Sequence, residues 1–532
     1  MRMPTTAAGQ PVPASEGWLA WATGLPQRLA GLPQKLRRLP QRLAALARRS
    51  PALAREHWLL TALLAVGLVL RVATQIAYRP ALFYIDSLRY LYDSHGADPV
   101  GYRVLLKPLL LVGNLDLVAA AQHVLGLAMA VVLYVVLQRR GVPRWLAALA
   151  TAPILLDGYQ LQIEQTIMPD VMFEACIVAG LAALLWQPRP RTALVIAGGL
   201  ALGASATARQ VGEILILPAL AYLLVAVPGW RRRLTQGAIL CAAFALPILV
   251  YCSVALAVTG HFRLSYAGTN EFYGRLVLAV DCQKLALPAD ERALCPSHTR
   301  AVQLGIDGLE HNPASPLRRY QAAHPGTFAA AVSGFNRRLL RQDPAAVAAA
   351  IGRDALKLFA VERVTAAGDG PISRWQFQRG YPLYPNPLYA SAITEQVVAK
   401  AGRQFGGGSP AVTVPLASFL RGYQLGGGYT PGPLLAFATL AGLAGTLSLA
   451  RRRATTAQRD AARACLLTFT SAVAVLLISD AFEFSWRYQL PALVTLPPAA
   501  ALAITALFTH RREAPPQQPA TVPAAGSQAR LD

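Results

Sequence analysis

Apolar runs close to the roughly 20 residues that cross a bilayer as a helix recur along this chain, and they constrain its fold more than any other feature. Ten can be placed, at about 57–77, 116–138, 144–158, 171–186, 192–208, 212–228, 234–258, 431–450, 464–480 and 488–509. Those at 144–158 and 171–186 are short, and the break between 208 and 212 is weakly marked. Of the 532 residues, 54% are hydrophobic and only 14% charged, against roughly 25% charged in an average soluble domain. The expected fold class is an all-α polytopic membrane protein of about ten transmembrane helices, with a large mixed extracytoplasmic segment between the seventh and eighth.

The net charge of +23 would point to nucleic acid in a soluble protein. Here the arginines sit in short loops between apolar runs, so they report topology. Arg139, Arg140 and Arg144 follow the second run, Arg189 and Arg191 the fourth, Arg231–Arg233 the sixth, Arg451–Arg453 the eighth, and Arg511 and Arg512 the tenth. All fall on the side of the Arg-rich N-terminal tail. The positive-inside rule then predicts a multi-pass plasma-membrane protein with both termini cytoplasmic. The organisation follows: a basic, Pro-rich tail at 1–56, a membrane core at 57–258, an extracytoplasmic segment at 259–430, three further helices within 431–510, and a tail at 511–532. The high use of Ala, Arg, Gly and Pro points to a GC-rich bacterial genome.

Three repeats of period seven, Leu25–Leu29, Leu32–Leu36 and Leu39–Leu43, carry Pro-Gln-Arg/Lys in the tail. A proline every seven residues opposes one continuous helix. Cys176, Cys241, Cys252 and Cys465 lie in apolar runs and read as packing residues. Cys282 and Cys295 lie thirteen apart in a polar stretch on the expected outer face, where such a pair reads as a disulfide. No CxxC or His/Cys cluster points to zinc, and a divalent metal is left open. Residues 345–363 form an amphipathic stretch suited to an interface.

The outer ends of the runs collect ionisable residues. The first outer segment, 78–115, holds Asp86, Arg89, Asp93, Arg103 and Lys107; the second, 159–170, ends at Asp170, with Glu174 one turn further on. Asp170 suits a helix first turn, whereas a charge at Glu174, inside a span, is costly and usually functional. Arg209 and Glu213, four apart, read as a pair. The last outer segment, 481–487, ends in Trp486-Arg-Tyr488, where the aromatics fit an interfacial belt and Arg487 does not. The outer segment 259–430 carries more Arg and Lys than Asp and Glu, against the topology trend.

This arrangement resembles the GT-C superfamily of polytopic glycosyltransferases, such as protein O-mannosyltransferases and the aminoarabinose transferase. The likeness rests on Tyr84-Ile-Asp86-Ser-Leu-Arg-Tyr90, on Glu164 followed by Pro169-Asp170, on Gly198-Gly…Gly203…Arg209, and on Arg487-Tyr-Gln-Leu-Pro-Ala492. Many relatives carry two adjacent acids in the first loop; here Ser87 follows Asp86. The resemblance implies transfer of a hexose or pentose from a polyprenyl-phosphate donor to a glycan, lipid or protein acceptor, with inversion. It implies Asp86 as base, with Asp170 and Glu174 as further catalytic candidates. Arg487, Arg209, Lys107 and Arg103 are the candidates for the donor phosphate, and Tyr84, Tyr90, Glu164, Trp486 and Tyr488 for substrate contacts. The residues fit the chemistry on their own terms: a carboxylate can take an acceptor proton, and cations can hold a departing phosphate. The alternatives are a transporter or lipid-carrier flippase, for which internal repeats and midplane charges are expected, and a noncatalytic scaffold.

Overall fold

The structure, a computed structural model, describes residues 52–92, 99–265, 268–385 and 392–508. The N-terminal heptad repeats, Asp93 and the C-terminal tail lie outside the described residues. The chain groups into residues 1–61 and 62–532. Of the first group, residues 52–61 carry helical turns.

All ten apolar runs fold as helices: α1 (Trp58–Ala77), α2 (Leu115–Arg139), α3 (Arg144–Leu156), α4 (Asp170–Leu185), α5 (Thr192–Ala208), α6 (Ile216–Ala226), α7 (Trp230–Thr259), α8 (Gly432–Leu447), α9 (Thr456–Phe482) and α10 (Pro491–Phe508). Among the described residues, six helical segments, containing α1, α2, α7, α8, α9 and α10, are long and apolar enough to cross a membrane; α3, α5 and α6 lie in shorter apolar helices. The weakly marked break after residue 208 is a 3-10 turn, Gln210–Leu215, leading into α6.

The helices divide into centre and rim. In its most apolar stretch α10 is 83% buried and α7 only 22%. A helix apolar all round with one face left open has its outer face in lipid. The glycines of α5 are packing devices. A Cβ at Gly203 would stand 2.1 Å from the Phe244 carbonyl oxygen, and one at Gly199 would stand 2.8 Å from the Ala243 Cβ. Small residues let helix backbones approach closely without a hydrophobic drive between them. The Gly-rich run thus seats α5 against α7.

The segment between α7 and α8 folds mainly as helices, among them Gly268–Ala279, His298–His311, Phe328–Gln342 and Pro344–Lys357. The sheet among the described residues is one antiparallel ribbon, Tyr78–Arg79 against Ala411–Val412. A disulfide joins Cys282 to Cys295, beside the small core of Tyr273, Leu294 and Phe335. The amphipathic stretch is the helix Pro344–Lys357, whose buried residues are Val347, Ala350 and Asp354. Asp354 pairs with Arg275 at 2.6 Å and with Lys357 at 2.6 Å. One face of this helix is therefore packed inside the protein.

Candidate active site

The first loop is held against the second by backbone. The Leu82 N–H donates to the Gln165 carbonyl at 2.8 Å, and the Ile167 N–H donates to the Leu82 carbonyl at 3.0 Å. The Ser87 hydroxyl completes the clamp: it accepts from the Tyr84 N–H at 2.9 Å and donates to the Ile167 carbonyl at 2.9 Å. Ser87 is fully buried, facing away from the open space next to Asp86. The position where many relatives carry a second acid is here a backbone tie.

Asp86 precedes the short helix Ser87–Leu91 but makes no side-chain cap to it. Its carboxylate is turned instead to two guanidiniums, Arg89 at 2.8 Å and Arg487 at 3.4 Å. Burial pushes the Asp86 carboxyl up, but Arg89 and Arg487 outweigh it and hold it below the ordinary aspartate range.

Asp170 opens α4 and pairs with Arg209, at the end of α5, and with Arg487 at 3.5 Å. Its second oxygen, Oδ2, is buried without a hydrogen bond. Arg487 lies in the 3-10 turn Trp486–Gln489 between α9 and α10. It donates to the Tyr488 hydroxyl at 3.0 Å, and its guanidinium stands 4.7 Å from the Tyr488 ring and 5.0 Å from that of Trp375. The Arg209 guanidinium lies 4.2 Å over the Tyr488 ring. Asp86, Arg487, Asp170 and Arg209 thus form an alternating chain of charges, with both of these arginines against the Tyr488 ring. Gly101 fixes the geometry: its N–H donates to the Thr207 carbonyl at 2.9 Å, and a Cβ there would stand 2.4 Å from that oxygen. The first loop is thereby pinned beside Arg209.

Asp86, Arg89, Arg209, Arg487, Tyr488 and Trp375 border a cavity of about 620 Å³, whereas Asp170 stands behind the arginines and does not line it. Tyr84, Asp86, Arg89 and Tyr90 supply one wall, Arg209, Arg487 and Tyr488 a second. Val211, Ile214, Leu217, Ile478 and Phe482 make a mainly apolar side, which Glu213 and Glu483 also border, and Leu217 is more than half exposed.

A further wall comes from the long segment: Asp307, Glu310, His311, Arg374 and Trp375. Arg374 pairs with Asp307 and donates to the Tyr84 hydroxyl at 3.3 Å. Burial lowers the His311 imidazole below its ordinary value, although Asp307 pulls it up. None of these five was singled out from sequence.

Other sequence candidates stand elsewhere. Arg103 donates to the Arg89 carbonyl and Lys107 to the Leu91 carbonyl at 3.3 Å. They satisfy carbonyls at the end of the short helix, and neither lines the cavity. Glu164 is buried between Arg71 at 2.7 Å and His123 at 2.8 Å. Glu174 accepts from Gln160 at 2.8 Å behind Asp170. The Trp486 indole donates to the Val364 carbonyl at 3.0 Å. Arg209 pairs with Asp170 rather than with Glu213, because the 3-10 turn breaks the helical spacing that would face the two together. Among the described residues, no three His, Cys, Asp or Glu side chains converge where a metal ion could be held.

Residues 114–264 match the family model of dolichyl-phosphate-mannose-protein mannosyltransferases. Over that stretch the chain is similar to GT-C glycosyltransferases. The matched stretch takes in α2 to α7, with Asp170, Glu174 and Arg209; Asp86 and Arg487 lie outside it. No curated protein matches the chain. Two solved structures do. One is the S. cerevisiae protein O-mannosyltransferase Pmt1–Pmt2 complex bound to the sugar donor, at 15% identity and TM-score 0.31, covering 44% of this chain and 37% of that one. The other is the Archaeoglobus fulgidus oligosaccharyltransferase in its apo form, at 14% identity and TM-score 0.32, covering 82% of this chain and 46% of that one. The chain therefore spans less than half the length of either.

Proposed function

We propose that this protein transfers a sugar from a polyprenyl-phosphate donor to an acceptor hydroxyl at the outer face of the plasma membrane. The observation that carries the reading is Arg487, shared between Asp86 and Asp170 on the edge of a cavity with one charged and one mainly apolar side. In the reaction the acceptor oxygen attacks the anomeric carbon and its proton passes to Asp86. The carbon–oxygen bond to phosphate breaks, and its electron pair leaves with the phosphate. A single displacement of this kind inverts the anomeric carbon.

Arg487 and Arg209 are the groups suited to the phosphate, since a guanidinium fork matches it in two hydrogen bonds. An arriving phosphate competes with the carboxylates for Arg487. As that cation turns to the donor, Asp86 loses part of what depresses its basicity, and it does so when a base is needed. Val211, Ile214 and Leu217, facing Ile478 and Phe482, give the prenyl tail an apolar path toward lipid. The sugar is a hexose or a pentose.

The test is the purified protein in nanodiscs with a polyprenyl phosphate carrying a radiolabelled sugar, run beside a liposome assay of polyprenyl-phosphate translocation. Sugar release without translocation is expected. Translocation without release would make the protein a flippase, and neither activity would leave a scaffold.

A further inference from the structure

A second concavity, of about 740 Å³, lies on the other side of the 3-10 turn Ile372–Trp375 from the cavity. Gly370 and Trp375 border the cavity, Pro371 and Ser373 border this groove, and Arg374 borders both. The groove is built against the catalytic loop. The Tyr381 hydroxyl donates to the Ala81 carbonyl at 2.7 Å, and the Tyr384 ring packs edge-on against Tyr84 with centroids 5.3 Å apart. Its wall residues Arg374 and Tyr384 both touch Tyr84, which lines the cavity together with Asp86.

Its charge differs from that of the cavity. The cavity wall mixes carboxylates with arginines, whereas the groove is lined by Arg374, Arg379 and Arg421 with no Asp or Glu among its described lining residues. Arg374 is paired with Asp307. Arg421 donates to neutral oxygens, the Phe377 carbonyl at 2.6 Å and the Gln378 side chain at 3.3 Å. Arg379 is exposed and has no hydrogen bond or ion pair among the described residues. Two positive charges uncompensated by carboxylate therefore face one concavity, beside hydroxyl- and amide-bearing side chains, Ser373, Gln378 and Tyr384. Charge-assisted contacts of this kind select anions, and the volume lies in the range of about 300–1,000 Å³ usual for ligand sites.

We propose that this groove is the acceptor subsite, and that it takes a carbohydrate chain bearing carboxylate or phosphate groups. The assignment rests on the transferase reading of the adjacent cavity. The acceptor chain lies along the groove, its anionic groups on Arg379 and Arg421, and its terminal hydroxyl passes Arg374 to reach Asp86.

The experiment is equilibrium binding to the full-length protein in phosphatidylcholine nanodiscs, which carry no anionic headgroup. The probes are a fluorescent oligogalacturonate, a neutral malto-oligosaccharide of equal length and a poly-glutamate peptide of equal charge. Oligogalacturonate should bind with an affinity that falls as salt rises, and the neutral chain should bind at least tenfold more weakly. Arg379→Glu, at an exposed position, should weaken oligogalacturonate binding at least tenfold with thermal unfolding unchanged. Arg452→Glu, in a basic cluster remote in sequence, should leave it unaltered. Equal binding of the neutral chain, undiminished binding by Arg379→Glu, or an equal loss in Arg452→Glu would overturn the assignment. Tighter binding of poly-glutamate would reassign the groove to an acidic peptide. Binding is read without turnover, so failure of the transferase reading appears in the donor assay alone.

Discussion

Arg487 reaches the Asp86 carboxylate at 3.4 Å across 401 positions of sequence. The pair closes the first loop onto the turn before the last helix, and joins the candidate base to the candidate phosphate site. Arg487→Ala should weaken donor binding by tenfold or more, measured by titration with a polyprenyl-phosphate sugar. Lys should restore it only partly, because a point charge replaces a two-pronged donor. Unchanged donor affinity in Arg487→Ala would shift the phosphate role to Arg209.

The same pair sets a pH dependence. Asp86 lies below its ordinary value of 3.8 because Arg89 and Arg487 outweigh burial. A depressed carboxyl contributes stability and basicity that are present above the unfolded value and lost as pH falls through the folded one. In kcat/KM, which reports the free protein, Asp86 should therefore give no acid limb above the ordinary aspartate range. In Arg487→Ala one cation and its hydrogen bond go while burial stays, so an acid limb should move up into the measured range. Identical profiles in the two proteins would contradict this coupling.

Ser87 makes a separate prediction. Its hydroxyl is the donor that satisfies the buried Ile167 carbonyl. Ser87→Ala should lower stability by about 1–3 kcal/mol, the usual cost of a buried acceptor left unpaired, seen as a lower Tm. Ser87→Asp should be worse, since a carboxylate only accepts and would face a carbonyl. If Ser87→Asp instead raised transfer, the side chain would have to reach the cavity.

Sidedness is testable by thiol labelling in intact cells, after Cys176, Cys241, Cys252 and Cys465 are replaced. Gly326 and Arg452 are exposed positions. Gly326→Cys should react with an impermeant maleimide from outside, and Arg452→Cys only after permeabilisation. Reaction of both from one side would break the alternation of ten spans.

The helices were legible because lipid leaves a simple signature: an apolar run must satisfy its own backbone, so each of the ten runs became a helix. Asp86, Tyr84 and Arg487 were legible as polar residues at run ends. Arg103 and Lys107 were close to Asp86 in sequence yet turned to carbonyls of Arg89 and Leu91. Sequence distance does not say which side of a five-residue helix a side chain takes. Trp486 fitted an interfacial belt and instead holds Val364. Arg374 and Asp307 were invisible, because their position depends on how the long segment folds over the first loop, and no local pattern encodes that.

The most direct measurement is single-turnover transfer by Asp86→Asn, with donor binding read in parallel. The amide keeps the shape of the carboxylate and removes its basicity. Transfer should fall by about 10²–10⁴-fold, the usual contribution of a positioned general base, while the donor still binds and the protein still folds. Near-normal transfer by Asp86→Asn would contradict the account.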